Sequence, residues 1–257
     1  MDTVIKKRLT INNLIKLQSD RNLVALTSYT ANIARISDRY ADIILVGDSL
    51  GMVLYGFPST MQTTLDMMLA HGECVVRSTS NAFIVVDMPF GTYEESRKVA
   101  FKNASAIMAK TGCGAIKLEG GAEMSETIKF LVERGIPVMA HIGLMPQKFK
   151  LKGNFSKEKD ETKVLKDLEA VVVAGAFSVV LENISHEISE KIALEFPSVL
   201  TIGIGAGKST KGQIAVLEDL CGLSGEFIPP FYKKIQDLQK NLEEVLGEYR
   251  DSIISPK

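Results

Sequence analysis

Five consecutive short apolar runs of this chain end on, or carry, side chains able to do chemistry. Asp48 and Ser49 follow the run at 43–48, Asp87 closes the apolar part of 83–89, and Lys117 and Glu119 lie in 115–120. His141 belongs to 137–143 and Glu182 to 178–183. A lone aspartate after a strand is ordinarily a cap or a turn former. Five such ends in succession, meeting at one mouth, make a site. Its donors are hard oxygens: Asp48 and Asp87 can give two carboxylates to one divalent ion, and Glu119 can stand behind a metal-bound water. With no thiolate and one nearby histidine, the set suits Mg²⁺ better than zinc or copper. Such an ion accepts a 2-oxo acid through a carboxylate oxygen and the ketone, and its Lewis acidity stabilises a developing enolate. Lys117 and His141 can bind the remaining substrate oxygens. Their plainer readings are an ion pair between Lys117 and Glu119, and a hydrogen-bonded core histidine. Glu182 stands one polar step past Val179-Val-Leu, where partial desolvation raises a carboxylate's pKa and makes it a better base. Its plainer reading is a salt bridge to a neighbouring Lys or Arg.

Elements able to bring these ends together are written in the hydrophobic pattern. Eight β-branched runs recur, at 23–29, 43–48, 83–89, 115–120, 137–143, 178–183, 199–205 and 213–219. They lack the alternation of half-wet strands and read as strands covered on both faces, as in a parallel sheet. Amphipathic stretches at 31–40, 65–79, 94–111, 123–134, 162–174 and 186–196 lie between them. Ser156 or Asp160 can cap the fifth, and Gly112, Gly135 and Gly175 sit just past expected C-termini. Strands and helices in alternation predict an α/β chain folded as a single (β/α)8 TIM barrel over residues 1–257, with catalysis at the C-terminal strand ends. The alternative is an open doubly wound sheet. A helix over 12–18 would cap the barrel bottom, and 229–249 would be a closing C-terminal helical segment.

Composition narrows the function. The 257 residues carry 30 basic and 31 acidic side chains, a net charge of −1, which leaves no electrostatic footprint for nucleic acid or anionic membrane. Three cysteines without CxxC or CxxH spacing argue against a disulfide framework or structural zinc and for a reducing, cytoplasmic compartment. Residues 1–20 do not read as a signal peptide, and the longest near-apolar run, 171–181, falls short of the roughly 20 residues of a membrane helix. Gly207-Lys208-Ser209 is not a phosphate loop, because Ile202 stands where that motif needs glycine. Lys208 likewise occupies the third glycine position of a dinucleotide fingerprint. The run Gly203-Ile-Gly-Ala-Gly207 is then either a turn closing over a substrate carboxylate or strand–helix packing. His71, His141 and His186 lack HExxH-like spacing, and no serine lies in a GxSxG elbow.

A string of segments resembles the ketopantoate hydroxymethyltransferases. These are Leu45-Val-Gly-Asp-Ser-Leu-Gly51, Val86-Asp-Met-Pro-Phe90, Ile116-Lys-Leu-Glu-Gly-Gly121 and His141-Ile-Gly-Leu-Met-Pro-Gln147. Val180-Leu-Glu182 and Ile202-Gly-Ile-Gly-Ala-Gly207 with Gly212-Gln-Ile214 continue the family's order across nearly the whole chain. The resemblance implies a barrel of the phosphoenolpyruvate/pyruvate superfamily, assembled as a homodecamer of stacked pentamers. It implies hydroxymethyl transfer from methylenetetrahydrofolate to α-ketoisovalerate in pantothenate synthesis. Carried over by position, Asp48 and Asp87 are the Mg²⁺ ligands and Glu119 bonds a metal water. Ser49, Lys117 and Asp87 contact the oxo acid, His141 lies in its pocket, and Glu182 takes the C3 proton. The chain departs from the family at Thr30 and Lys211, where aspartate is usual, at Phe57, where a polar residue is common, and in Phe149-Lys-Leu-Lys-Gly-Asn154. Lys148, Lys150 and Lys152 mark either a solvated face or an attraction for the folate's anionic tail. Rival readings are another Mg-dependent enolate-forming lyase or mutase on the same barrel, or a decayed, non-catalytic paralogue. The Lys-Lys-Cys-Gly-His lid motif frequent in those lyases and mutases is missing.

Overall fold

A computed structural model describes residues 8–148, 157–224 and 234–254. Eight parallel strands close on themselves in chain order. They are β1 Leu23–Thr27, β2 Ile43–Val46, β3 Phe83–Asp87, β4 Ala115–Glu119, β5 Val138–Gly143, β6 Ser178–Glu182, β7 Thr201–Ile204 and β8 Gly212–Ala215. The helices are α1 Ile11–Asp20, α2 Ala31–Ser37, α3 Leu50–Val53, α4 Leu65–Ser78 and α5 Arg97–Thr111. After these come α6 Ser125–Val132, α7 Glu161–Val173, α8 His186–Glu195, α9 Leu217–Cys221 and α10 Leu238–Ile254. The (β/α)8 barrel is therefore observed, and pairing of Leu23 with Gly212 excludes the open sheet. Closure needs glycine at 212, because a Cβ there would lie 2.9 Å from the Leu23 carbonyl oxygen and 2.7 Å from Ile202 Cδ1.

Strand parity aims the chemistry. Ile43, Leu45, Phe83, Val85, Ala115, Met139, Val180 and Ile202 pack inside the barrel over Leu14 of α1, which plugs the bottom. Their neighbours, among them Ile44, Val46, Ile84, Val86, Ile116, Ala140 and Leu181, face the helices. Successive strand residues point to opposite faces. Counting by twos from the inner set reaches Asp87, Lys117, Glu119, His141 and Glu182. Register then makes neighbours of them, pairing Asp87 with Lys117, Glu119 with His141 and Gly143 with Glu182.

Helix ends follow side-chain chemistry. Thr10, Thr64, Ser96, Asp160 and Ser185 each accept a first-turn backbone N–H. Asp160 thus caps α7, and Ser156 lies outside the described residues. The eighth run, 213–219, is not one strand: β8 stops at Ala215 and α9 starts at Leu217. The Thr27 hydroxyl accepts the Leu217 N–H at 3.1 Å and turns the chain away from the ladder. Short α3 and the 3₁₀ turn Thr60–Gln62 are too brief to leave a periodic signature. Helix α10 runs five residues past the expected segment's end to Ile254 and buries none of its side chains.

Candidate active site

Asp48, Ser49, Asp87, Lys117, Glu119, His141 and Glu182 all line one cavity of about 690 Å³ at the C-terminal mouth. All seven residues expected from sequence are thereby brought together. Asp87 Oδ2 accepts the backbone N–H of Asp48 at 3.0 Å, and the two carboxylates interact directly. Burial first, and then the charge of Asp87, push Asp48 up to about 7, against the pull of Lys117 and the Gln147 amide. Burial and the Asp48 charge likewise raise Glu119 well above the carboxylate range. Lys117 Nζ lies 2.9 Å from Asp87 Oδ1. Burial opposes the ammonium, yet Asp87, Glu119 and Asp48 outweigh it and hold its pKa above the ordinary value. The ion pair is therefore with Asp87 and not with Glu119, the partner in the plainer reading of Lys117, because Asp87 is the register neighbour of Lys117.

His141 is 2% exposed, with Nδ1 at 3.4 Å from Lys117 Nζ and 3.6 Å from Glu119 Oε1. Its Nε2 is 3.3 Å from Glu182 Oε2. An ammonium has only donors, so Nδ1 is assigned as acceptor and the proton placed on Nε2, facing Glu182. Neither His141 Nε2 nor Asp87 Oδ1, both buried, has an aligned hydrogen-bond partner despite these close charges. Glu182 keeps 13% of its side chain exposed and faces this histidine rather than a Lys or Arg. Gly143 packs against the Glu182 backbone at the end of β6. With φ at +95°, residue 143 is in a glycine region, and a Cβ would abut the Glu182 carbonyl oxygen. Gly143→Ala is expected to cost about 1–3 kcal/mol, read from urea midpoints; an unchanged midpoint would contradict this account of the β5 end.

Four contributors escaped a search for ionisable strand ends. Buried Gln147 donates its amide to Asp48 Oδ2 at 2.8 Å and to the Met88 carbonyl at 3.0 Å. Its backbone N–H donates to Glu119 Oε2 at 3.1 Å. The Tyr93 hydroxyl lies 2.5 Å from Gln147 Oε1. Thr63 donates to the Asp48 carbonyl, and Tyr29 shares a hydrogen bond with Ser49. Neutral side chains give no charge signal, although Gln147 ends a motif already singled out.

Other sequence features separate from the site. In the glycine run only Ile204 reaches the cavity, while a Cβ on Gly207 would strike the His186 ring, so the run serves packing. Thr30, at the start of α2, and Lys211 stand off the cavity, whereas Phe57 lines it. Lys148 is ion-paired to Glu123 at 2.5 Å; Lys150, Lys152 and Asn154 lie outside the described residues.

Two adjacent buried carboxylates, with Asp48 pushed up by burial and the Asp87 charge and with Lys117 Nζ 2.9 Å from Asp87 Oδ1 without an aligned hydrogen bond, fit a small hard cation. Among the described residues no three of His, Cys, Asp and Glu form a ready ligand set. Glu119 has one oxygen committed to the Gln147 N–H and the other facing His141. A two-carboxylate site that leaves most positions to water and substrate oxygens matches Mg²⁺.

Among the described residues no helix is long and apolar enough to cross a membrane. In shape, the chain is similar to a phosphonopyruvate hydrolase solved with oxalate and Mg²⁺, with a TM-score of 0.66 and 13% identity over 95% of this chain and 88% of that one. It is also similar to 2,3-dimethylmalate lyase, a member of the PEP mutase/isocitrate lyase superfamily, with a TM-score of 0.61 and 17% identity over 95% and 99%. Identities this low speak for the barrel alone. In sequence, it is 47% identical to the 3-methyl-2-oxobutanoate hydroxymethyltransferase of Bartonella tribocorum over 97% of this chain and 93% of that one. The family model of ketopantoate hydroxymethyltransferase matches residues 8–257. An oxygen-lined mouth on this barrel and likeness along nearly the whole chain lead to one conclusion: the chain belongs to the ketopantoate hydroxymethyltransferase family and is a hydroxymethyltransferase.

Proposed function

We propose that the enzyme converts α-ketoisovalerate to ketopantoate, taking the one-carbon unit from methylenetetrahydrofolate through an enolate. The observation that carries the reading is the convergence of Asp48, Asp87, Lys117 and Glu182 on one cavity. Asp48 and Asp87 would hold Mg²⁺, with Glu119 behind them. Bound there, the ion supplies Lewis acidity to the ketone of the oxo acid. Ser49 and Lys117 bind the substrate carboxylate, and His141 flanks the pocket. Glu182 removes the C3 proton. The C3 carbanion equivalent then bonds to the folate methylene carbon, the carbon–nitrogen bonds to the folate break, and water provides the hydroxyl. The 3-methyl-2-oxobutanoate hydroxymethyltransferases to which the chain is similar support the oxo acid as substrate. The reading includes a cytoplasmic homodecamer; exposed Leu242, Val245, Leu246 and Tyr249 on α10 are available to another copy.

The test is α-ketoisovalerate in D₂O, followed by addition of methylenetetrahydrofolate. Magnesium-dependent exchange of the C3 proton and then product formation are expected. Exchange without transfer favours an enolate lyase or mutase, and absence of both in folded protein favours a non-catalytic paralogue.

Metal affinity should depend on pH. In the metal-free protein Asp48 titrates near 7 and its unfolded counterpart near 3.8. Its contribution to stability is thus fully present below the unfolded value and lost as pH rises through 7. Mg²⁺ must displace that proton below 7 and binds the charged pair above it. The thermal shift produced by Mg²⁺ is expected to grow from pH 5.5 to about 7 and then level, as judged against the Asp48 pKa of about 7. A shift independent of pH would remove this pair as the metal site.

A further inference from the structure

Gln147 makes two hydrogen bonds to the acidic cluster, yet its side chain does not line the cavity. Its amide orientation follows from its neighbours. One end faces two acceptors, Asp48 Oδ2 and the Met88 carbonyl, and must be the NH₂. The other end is then the oxygen, and the Tyr93 hydroxyl, 2.5 Å away, donates to it. A flipped amide would set its oxygen against two acceptors and lose both of those bonds. With both N–H groups donated and the amide oxygen 2.5 Å from the Tyr93 hydroxyl, the Gln147 side chain is committed to protein groups and stays outside the cavity.

What remains is orientation. The amide occupies one oxygen of Asp48 and leaves Oδ1 for a ligand, while the backbone N–H of the same residue pins Glu119 Oε2. One residue after β5 thereby ties the end of β2 to the end of β4. The donor is neutral, so it directs Asp48 without cancelling the charge that draws a cation. A lysine in its place would compete with the ion. We infer that Gln147 is a positioning residue for divalent-cation binding, presenting Asp48 through a single oxygen, with the Tyr93 hydroxyl locking the amide. The inference rests on the proposed metal role of Asp48 and Asp87.

The test is Mn²⁺ binding without substrate, read from the EPR signal of free Mn²⁺ for wild type, Gln147→Leu and Tyr93→Phe. Partners behind metal ligands typically govern affinity by about 10–100-fold, and Gln147→Leu should weaken Mn²⁺ by that factor. Tyr93→Phe should weaken it several-fold, by freeing the amide to turn. At saturating metal the KM for the oxo acid should stay within about threefold of wild type, because the amide lies outside the cavity; general loosening of the barrel would raise KM as well. Wild-type Mn²⁺ affinity in folded Gln147→Leu overturns the inference. If that variant does not fold, wild-type affinity in Tyr93→Phe overturns it. Absence of Mn²⁺ binding by the wild type is a separate outcome, and would remove the metal reading and the clamp together.

Discussion

Glu182→Gln is expected to bind Mn²⁺ and oxo acid much as the wild type does and to lose C3-proton exchange by about 10²–10⁴-fold, the usual contribution of a positioned general base. The substitution suits the question because it is nearly isosteric. The His141 Nε2 proton, 3.3 Å from Glu182 Oε2, can be accepted by the new amide oxygen, which keeps the histidine in place. Glu182 lines the cavity and keeps 13% of its side chain exposed, the face from which the proposed base would reach a substrate proton. Exchange measured by NMR in D₂O at saturating Mg²⁺ isolates this step from folate binding. A variant exchanging within a few-fold of wild type would exclude Glu182 as base.

Lys117→Met should be the most damaging single change to stability at neutral pH. Asp48, Asp87 and Glu119 are all buried, and Lys117 is the cation that pairs with them, at 2.9 Å from Asp87. Removing one partner of a buried pair leaves an uncompensated charge and costs about 3–5 kcal/mol. The folded pKa of Lys117 lies above its ordinary 10.5. Its contribution is therefore complete below 10.5 and lost only as pH rises through the higher folded value. Across the neutral range the variant's deficit comes instead from the carboxylates it abandons. These take up protons as pH falls, so the loss in urea stability should be larger at pH 8 than at pH 6. The KM for the oxo acid should rise about tenfold or more, since the ammonium proposed to meet the substrate carboxylate is gone. Equal stability of variant and wild type at pH 8 would show that the cluster is neutral in the folded protein.

The barrel was legible because its signal is repetitive. Unbroken apolar runs such as 43–46, every residue of which is buried, alternate with capped amphipathic helices. The misses lie where a segment is short or its contacts come from elsewhere. Residues 213–219 carry an apolar pattern into α9, and only Thr27, nearly two hundred residues earlier, marks where the strand stops. Helix α10 has the amphipathic pattern of a packed helix, but periodicity does not say what covers it, and no side chain of it is buried within this chain.

The candidate site divides in the same way. Residue types and strand ends alone determined the membership of Asp48, Ser49, Asp87, Lys117, Glu119, His141 and Glu182, because a parallel barrel delivers alternate residues at those ends to one mouth. Pairing depends on register between strands, and no local pattern encodes it. Register gave Lys117 to Asp87 rather than Glu119 and set His141 between Glu119 and Glu182. Burial, a property of the assembled core, raised Asp48 to about 7. Gln147 reaches Asp48 across 99 residues of chain, through a neutral amide whose importance depends on two acceptors and a hydroxyl supplied by the segments after β2 and β3. Composition and spacing name the groups; closure of the barrel decides which of them touch.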